Sequence, residues 1–218
     1  MSMSKHELSE RQKRLSDVYR HQGDPERLAA YYDRWAELYD EDMGRLGYVN
    51  PAMVCGMAGR YIDDREAHIL DAGAGSGIVG RLLALLGYRD LTGVDISPGM
   101  LERAAALDVY RQLRQMDLGQ PLGFEDEEFD VCVACGVLTV GHAPPRALDE
   151  LIRVARSGGM LIFSVTDQAY EETFGDKMRA LEDAGRWRAV DASRPYVALP
   201  GAAGDSAHTS RMFVYRVS

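Results

Sequence analysis

At 218 residues, 46% apolar and 27% charged, the chain is long enough for one hydrophobic core and by length holds about one domain. Its 34 acidic residues against 25 basic ones give a net charge of −9, and without a dense basic run this disfavours nucleic acid as a partner. No run of about 18 apolar residues marks a membrane span, Met1-Ser2-Met3-Ser4-Lys5-His6-Glu7 lacks the apolar core of a signal peptide, and three cysteines form no framework of bridges, so a cytoplasmic location is expected.

The first predicted helix, about Ser4 to His21, is polar and is expected on the surface or over a site. The second begins at Asp24-Pro25, with Asp as N-cap and Pro at the first helical position, and Asn50-Pro51 is read in the same way. On the second helix Tyr32, Trp35 and Tyr39 stand at i, i+3 and i+7 and share a face, either as a core stripe or as a wall. From residue 67 onward strands are predicted at 67–72, 91–95, 111–116, 128–135, 159–165, 187–192 and 208–217. Helices are predicted between them at 77–86, 98–107, 144–155 and 170–184. The alternation defines an α/β fold with seven strands, and short connectors leave no domain boundary. The Gly/Ala/Pro-rich segment Ser193–Ala207 reads as a substrate loop, a mobile lid or disorder.

Chemistry concentrates where the first two strands end. His68-Ile69-Leu70-Asp71-Ala72-Gly73-Ala74-Gly75-Ser76-Gly77 is a strand, a glycine turn and the start of a helix, a backbone that approaches a ligand without Cβ atoms in the way. Asp95 ends the next strand 18 residues beyond Gly77, where a carboxylate accepts both hydrogen bonds of a ribose diol. Gly75–Gly80 also fits the GxGxxG pattern of dinucleotide sites. The Gly73-Ala74-Gly75-Ser76-Gly77 spacing and the acid Asp71 two residues before it favour a ligand with a cationic amino group and a sulfonium, S-adenosylmethionine (SAM), over a pyrophosphate. On this reading Gly73, Ala74, Gly75 and Gly77 present backbone groups to the cofactor and Asp71 faces its ammonium, directly or through water. Ile96 and Met100 sandwich the adenine, although Met100 also fits ordinary core packing. Cys135, Gly136 and Val137, at the end of the fourth strand, line the reactive side.

Tyr32–Asp40, the Leu70–Gly77 loop, Gly93-Val94-Asp95-Ile96-Ser97-Pro98-Gly99-Met100-Leu101 and Phe129-Asp130-Val131 together resemble the class I SAM-dependent methyltransferases. Within them the likeness is to the methyltransferase-like protein of the Williams–Beuren syndrome region and its bacterial relatives. The resemblance implies a Rossmann-like doubly wound sheet in the order 3-2-1-4-5-7-6 with only the last strand antiparallel. It implies one methyltransferase domain, residues 1–62 forming a helical cap and 66–218 the SAM-binding core. It also implies that Trp35 and Tyr39 contact the cofactor, that Tyr32 faces the acceptor, and that Asp117, otherwise a solvated loop acid, accepts from the adenine amino group beside the backbone of Leu118.

Methyl transfer from a sulfonium needs positioning, and needs a base only when the nucleophile arrives protonated. His142, in Gly141-His142-Ala143-Pro144-Pro145 after the fourth strand, is the candidate base, with a surface-loop histidine as the alternative. His208 is a weaker candidate for the same cavity. Arg194 and Arg211 are either anion-binding groups or solvated surface arginines. Cys132 and Cys135 form a C-x-x-C, but three residues apart on a strand they point to opposite faces and are read as core residues, with no metal expected. The expected activity is methylation of a small molecule by in-line displacement, with O, N, S or C as acceptor atom left open. A non-catalytic SAM-binding partner subunit and an NAD(P)-dependent oxidoreductase are the rivals, and a homodimer is also left open.

Overall fold

Apolar runs buried on both sides make the centre of the molecule a mostly parallel sheet. In the computed structural model, which describes residues 5–18, 23–202 and 208–218, the chain order is α1 (Lys5–Val18), α2 (Pro25–Leu46), α3 (Asn50–Tyr61), β1 (His68–Ala72), α4 (Ile78–Leu85), β2 (Asp90–Asp95), α5 (Pro98–Ala105) and β3 (Gln112–Gln115). Then follow β4 (Phe129–Leu138), α6 (Ala147–Val154), β5 (Ala155–Thr166), α7 (Asp167–Ala169), a π-helical turn at Tyr170–Phe174, α8 (Gly175–Asp183), β6 (Trp187–Ala192), β7 (Tyr196–Val197) and β8 (Thr209–Val217). The sheet runs β3-β2-β1-β4-β5-β8-β6, parallel through β5, with β8 antiparallel to both β5 and β6. This is the expected order with one addition, the two-residue β7, which pairs with β8.

Alternate residues of each strand feed opposite cores. Leu70, Cys132, Leu161 and Phe163 pack under α6 and α8 with Leu151, Met178 and Trp187. Ile69, Val131, Val133 and Ile162 pack under α3 and α4 with Val54, Ala58, Val79 and Leu83. The two C-x-x-C thiols follow the alternation: Cys132 Sγ points to the Leu151 carbonyl (3.7 Å) and Cys135 Sγ lies beside the Tyr48 hydroxyl (3.9 Å).

Several elements differ from the sequence reading. Asp24 caps α2 as expected, its Oδ1 accepting from the Arg27 N–H (3.1 Å). Asn50, by contrast, lies inside α3 after Val49 and makes no cap. Its buried amide reaches the site instead, donating to Ser164 Oγ (3.4 Å) and accepting from the Tyr196 hydroxyl (3.0 Å). Pro144 and Pro145 stay outside α6. The helix expected at 170–184 starts at Asp167, because the Thr166 hydroxyl accepts from the Ala169 N–H (3.3 Å) and so serves as its N-cap. The segment after Ser193 docks as far as it is described: Ala198 and Leu199 are buried, the Val49 N–H donates to the Ala198 carbonyl (2.9 Å) and the Gly201 N–H to that of Leu46 (2.9 Å). Residues 203–207 of the expected loop, and residues 4 and 19–21 of the expected first helix, lie outside the described residues.

Candidate active site

Parallel strands β1, β2 and β4 end at one edge of the sheet, and a cavity of about 330 Å³ opens between their ends and α2. That size falls within the range of small-molecule and cofactor sites. Its floor carries Gly73 and Gly75 after β1, Asp95 and Ile96 after β2, and Met100 from α5. Asp117 and Leu118 form one end, Cys135, Gly136 and Val137 the edge of β4, and Tyr32, Tyr39 and His142 the far wall. Residues separated by more than 100 positions therefore meet at one edge of the sheet.

Asp95 is the centre of the floor. Its Oδ2 accepts from the Gly75 N–H (2.8 Å) and its Oδ1 from the Ser97 N–H (2.9 Å). A carboxylate has about four lone-pair sites, and these bonds do not use all of them. Burial pushes its pKa up, and the backbone donors pull against that. Gly75 has φ +55° and open space where a Cβ would project, which leaves the floor clear above it. Asp117 Oδ1 accepts from the Gly119 N–H (2.7 Å), which fixes the turn behind the far end.

Four expected cofactor contacts are not on this cavity. The Gly73 and Ala74 N–H groups both donate to the Val94 carbonyl (2.8 and 2.9 Å), and that of Gly77 to Ala74 (2.9 Å), so these donors tie the loop to β2 and close its turn rather than facing a ligand. Ala74 is buried. Gly77 at φ +88° presses on α5, where a Cβ would come within 2.7 Å of Leu107 Cδ1; helix packing is its role. Asp71 is wholly buried behind the loop, its Oδ2 accepting from the Tyr110 hydroxyl (2.7 Å) and its Oδ1 unpartnered. Desolvation raises its pKa from 3.8 to about 7, opposed by Tyr110. Trp35 is 3% exposed and turned toward the cap core, its indole N–H donating to Asp42 Oδ2 (2.8 Å).

Helix α2 forms the roof and is fastened on two sides. Asp33 Oδ1 accepts from the Ser97 hydroxyl (2.6 Å) and the Gly99 N–H (2.8 Å), and Asp40 accepts from the Ser76 hydroxyl. Seven residues apart, the two acids share a face and clip the roof to both ligand loops. On another face buried Asp42 accepts from Arg11 Nε (2.9 Å) and Arg14 Nε (2.6 Å) of α1. Sequence reasoning assigned none of these three acids a role. It also missed Arg146, which lines the cavity and donates to the Gly119 carbonyl (2.8 Å).

The Tyr32 hydroxyl lies 2.9 Å from His142 Nε2. Nδ1 lies 3.3 Å from Thr139 Oγ1. Burial lowers the His142 pKa from 6.5 to about 4, so the imidazole is neutral at ordinary pH. A second cavity of about 50 Å³ lies beyond this pair and shares Tyr32, Tyr39, Gly136 and His142 with the first. His208 lines it as well. Arg211 pairs with Asp167 (2.9 Å), lies over the Tyr170 ring and lines neither cavity; Arg194 is exposed. Among the described residues no group of three or more His, Cys, Asp or Glu is placed to hold a metal, and no helix is long and apolar enough to cross a membrane.

An open α/β sheet with a glycine loop after β1 and an acid after β2 defines a nucleoside-binding edge of the methyltransferase kind. The chain belongs to the class I SAM-dependent methyltransferases. A methyltransferase-domain family model matches residues 70–163. Methyltransferase-like protein 27 of Homo sapiens is 35% identical over 167 residues, covering 73% of this chain and 68% of the human protein. Phosphatidylethanolamine N-methyltransferase of Cereibacter sphaeroides is 34% identical over 138 residues, 60% of this chain and 64% of that protein. Among solved structures, a TehB-like SAM-dependent methyltransferase from Corynebacterium glutamicum superposes with a TM-score of 0.62 at 21% identity, over 87% of this chain and 99% of that one, a likeness of fold.

Proposed function

We propose that the chain transfers a methyl group from SAM to a small-molecule acceptor by in-line displacement, with the cofactor in the larger cavity and the acceptor beside Tyr32 and His142. The observation that carries this reading is the Tyr32–His142 hydrogen bond on the wall common to both cavities. When bound, SAM supplies an activated methyl group: the acceptor's lone pair forms the new bond as the sulfur–methyl bond breaks, leaving a neutral thioether. Asp95 takes the ribose hydroxyls, Ile96 and Met100 flank the adenine, and Asp117 with the backbone of Leu118 meets its amino group. Cys135, Gly136 and Val137 border the reacting side, and Tyr39 closes over it with the rest of α2, excluding water that would compete with the acceptor. Gly73 and Gly75 shape the floor, Asp71, Ala74 and Gly77 support it from behind, and Trp35 packs in the core of the cap.

For a protonated nucleophile, Tyr32 accepts the acceptor's proton as its own passes to His142 Nε2. A neutral imidazole is ready to receive it, and its low basicity limits it to brief proton storage. Relatives' names include a phospholipid methyltransferase, so the family alone names no acceptor; the net charge of −9 supports a small molecule over nucleic acid. The same reading treats the chain as one methyltransferase domain with residues 1–62 as its cap, working in a reducing cytoplasm that suits three free thiols. Calorimetric titration with SAM, S-adenosylhomocysteine and NADH tests it. Micromolar binding of the first two and none of the third is expected; binding of NADH alone overturns the assignment.

A further inference from the structure

Besides Tyr32, Tyr39, Gly136 and His142, the smaller cavity is lined by groups that the methyl-transfer reading does not use. Part of its wall comes from β5, which presents Ser164 and Thr166, from β8, which presents Ser210, and from His208 just before β8. Two of these hydroxyls are engaged. Ser164 Oγ accepts from the Gly136 N–H (2.8 Å) and Asn50 Nδ2 (3.4 Å), and Thr166 Oγ1 caps α7. Ser210 is different: it is 0% exposed and its Oγ has no hydrogen-bond partner. A buried hydroxyl left unpaired costs about 1–3 kcal/mol, a cost that a bound polar group removes.

Charge is the second constraint. Among the described residues the cavity wall includes no Asp, Glu, Lys or Arg, and His142 stands there neutral. An ammonium held here would lose its water and gain no counter-ion, and a carboxylate would find only the imidazoles, of which His142 is neutral. Size is the third. A volume of about 50 Å³ is well below the roughly 150 Å³ that holds a benzene ring, and at about 10–15 Å³ per water-sized occupant it takes three to five heavy atoms.

We infer that this cavity is the recognition chamber for the acceptor, that it takes a compact uncharged group able both to donate and to accept hydrogen bonds, of which a carboxamide is the type, and that Ser210 and His208 determine specificity there. The inference rests on the methyltransferase reading for the word acceptor; the chamber's preference for an uncharged group stands on its walls alone.

Three isosteric probes test it: acetamide, acetate and acetamidinium, one neutral, one anionic and one cationic. Protein labelled with ¹³C in the histidine rings is first titrated with S-adenosylhomocysteine by calorimetry, then with each probe while the His142 and His208 ring signals are followed. Acetamide is expected to shift both signals saturably, with acetate and acetamidinium at least tenfold weaker. Either charged probe binding as tightly as acetamide, or no saturable shift with any of the three, overturns the inference. Ser210→Ala removes a hydroxyl that has no partner, so its melting temperature should equal or exceed that of the wild type while acetamide affinity falls about fivefold or more. Unchanged acetamide affinity removes Ser210 from the chamber's recognition. Should S-adenosylhomocysteine fail to bind, the methyltransferase reading fails on that result, and the same titration of the ligand-free protein still decides the chamber.

Discussion

Two groups at the ligand edge, wholly buried Asp71 and half-buried His142, titrate in opposite senses, and their opposition fixes how stability should respond to pH. His142 has its pKa lowered from 6.5 to about 4 by burial, with His208 adding to the effect. Between pH 4 and 6.5 the unfolded chain binds a proton there that the folded chain refuses, so stability rises with pH, by about 3 kcal/mol at roughly 1.4 kcal/mol per pKa unit. Asp71 has its pKa raised from 3.8 to about 7, first by burial, with the Tyr110 hydroxyl opposing and Asp95 adding. Between pH 3.8 and 7 it is the folded chain that keeps the proton, so stability falls with pH, by about 4 kcal/mol. In the wild type these two contributions cancel to within about 1 kcal/mol across the interval. Single substitutions expose each one. Asp71→Asn keeps the shape of the protonated acid and cannot ionise, so the wild-type minus variant difference in unfolding free energy should fall by about 4 kcal/mol from pH 4 to 7. For His142→Gln the same difference should rise by about 3 kcal/mol from pH 4 to 6.5. Urea denaturation at half-unit pH steps, with m-values checked for constancy, measures both. Differences that stay flat with pH would refute the assignment of a neutral imidazole and a protonated buried acid.

The remaining expectations concern the ligand floor, the proton path and the roof. Asp95→Ala leaves the Gly75 and Ser97 N–H groups without their acceptor as well as any ribose diol, so S-adenosylhomocysteine affinity should drop by about 1–3 kcal/mol; calorimetry showing unchanged affinity removes Asp95 from the site. His142→Gln should lower kcat about 100-fold for an acceptor that must lose a proton, with cofactor affinity nearly unchanged, and full turnover would make His142 a structural residue. Asp42→Ala takes a buried carboxylate from Arg14, one of two carboxylates from Arg11, which keeps Glu41, and the acceptor from the Trp35 indole, a loss of about 3 kcal/mol by chemical denaturation; a change below about 1 kcal/mol would mean that Asp42 does not anchor the cap.

How far the sequence reached follows from the range of the interactions involved. Strand order, the glycine turn and the place of Asp95 at the end of its strand were legible, because each is signalled locally by spacing, by the end of an apolar run or by a family motif, whereas the hydrogen bond between Tyr32 and His142 was not. What each backbone donor does was not. The N–H groups of Gly73 and Ala74 look free in a linear chain, and only the approach of β2 brings the Val94 carbonyl to consume both. Asn50 carries the local signature of an N-cap, Asn before Pro, yet a buried amide with Ser164 and Tyr196 in reach gains more from two long-range hydrogen bonds than from a capping bond that water replaces at little cost. Asp33, Asp40 and Asp42 show the same limit from the other direction. As sequence they are acids on an ordinary amphipathic helix. In space the first two grip the Ser97 and Ser76 loops from one face while the third anchors α1 from another, so a single helix couples cap packing to the geometry of the cofactor floor. That arrangement is visible only once the three carboxylates are known by their partners.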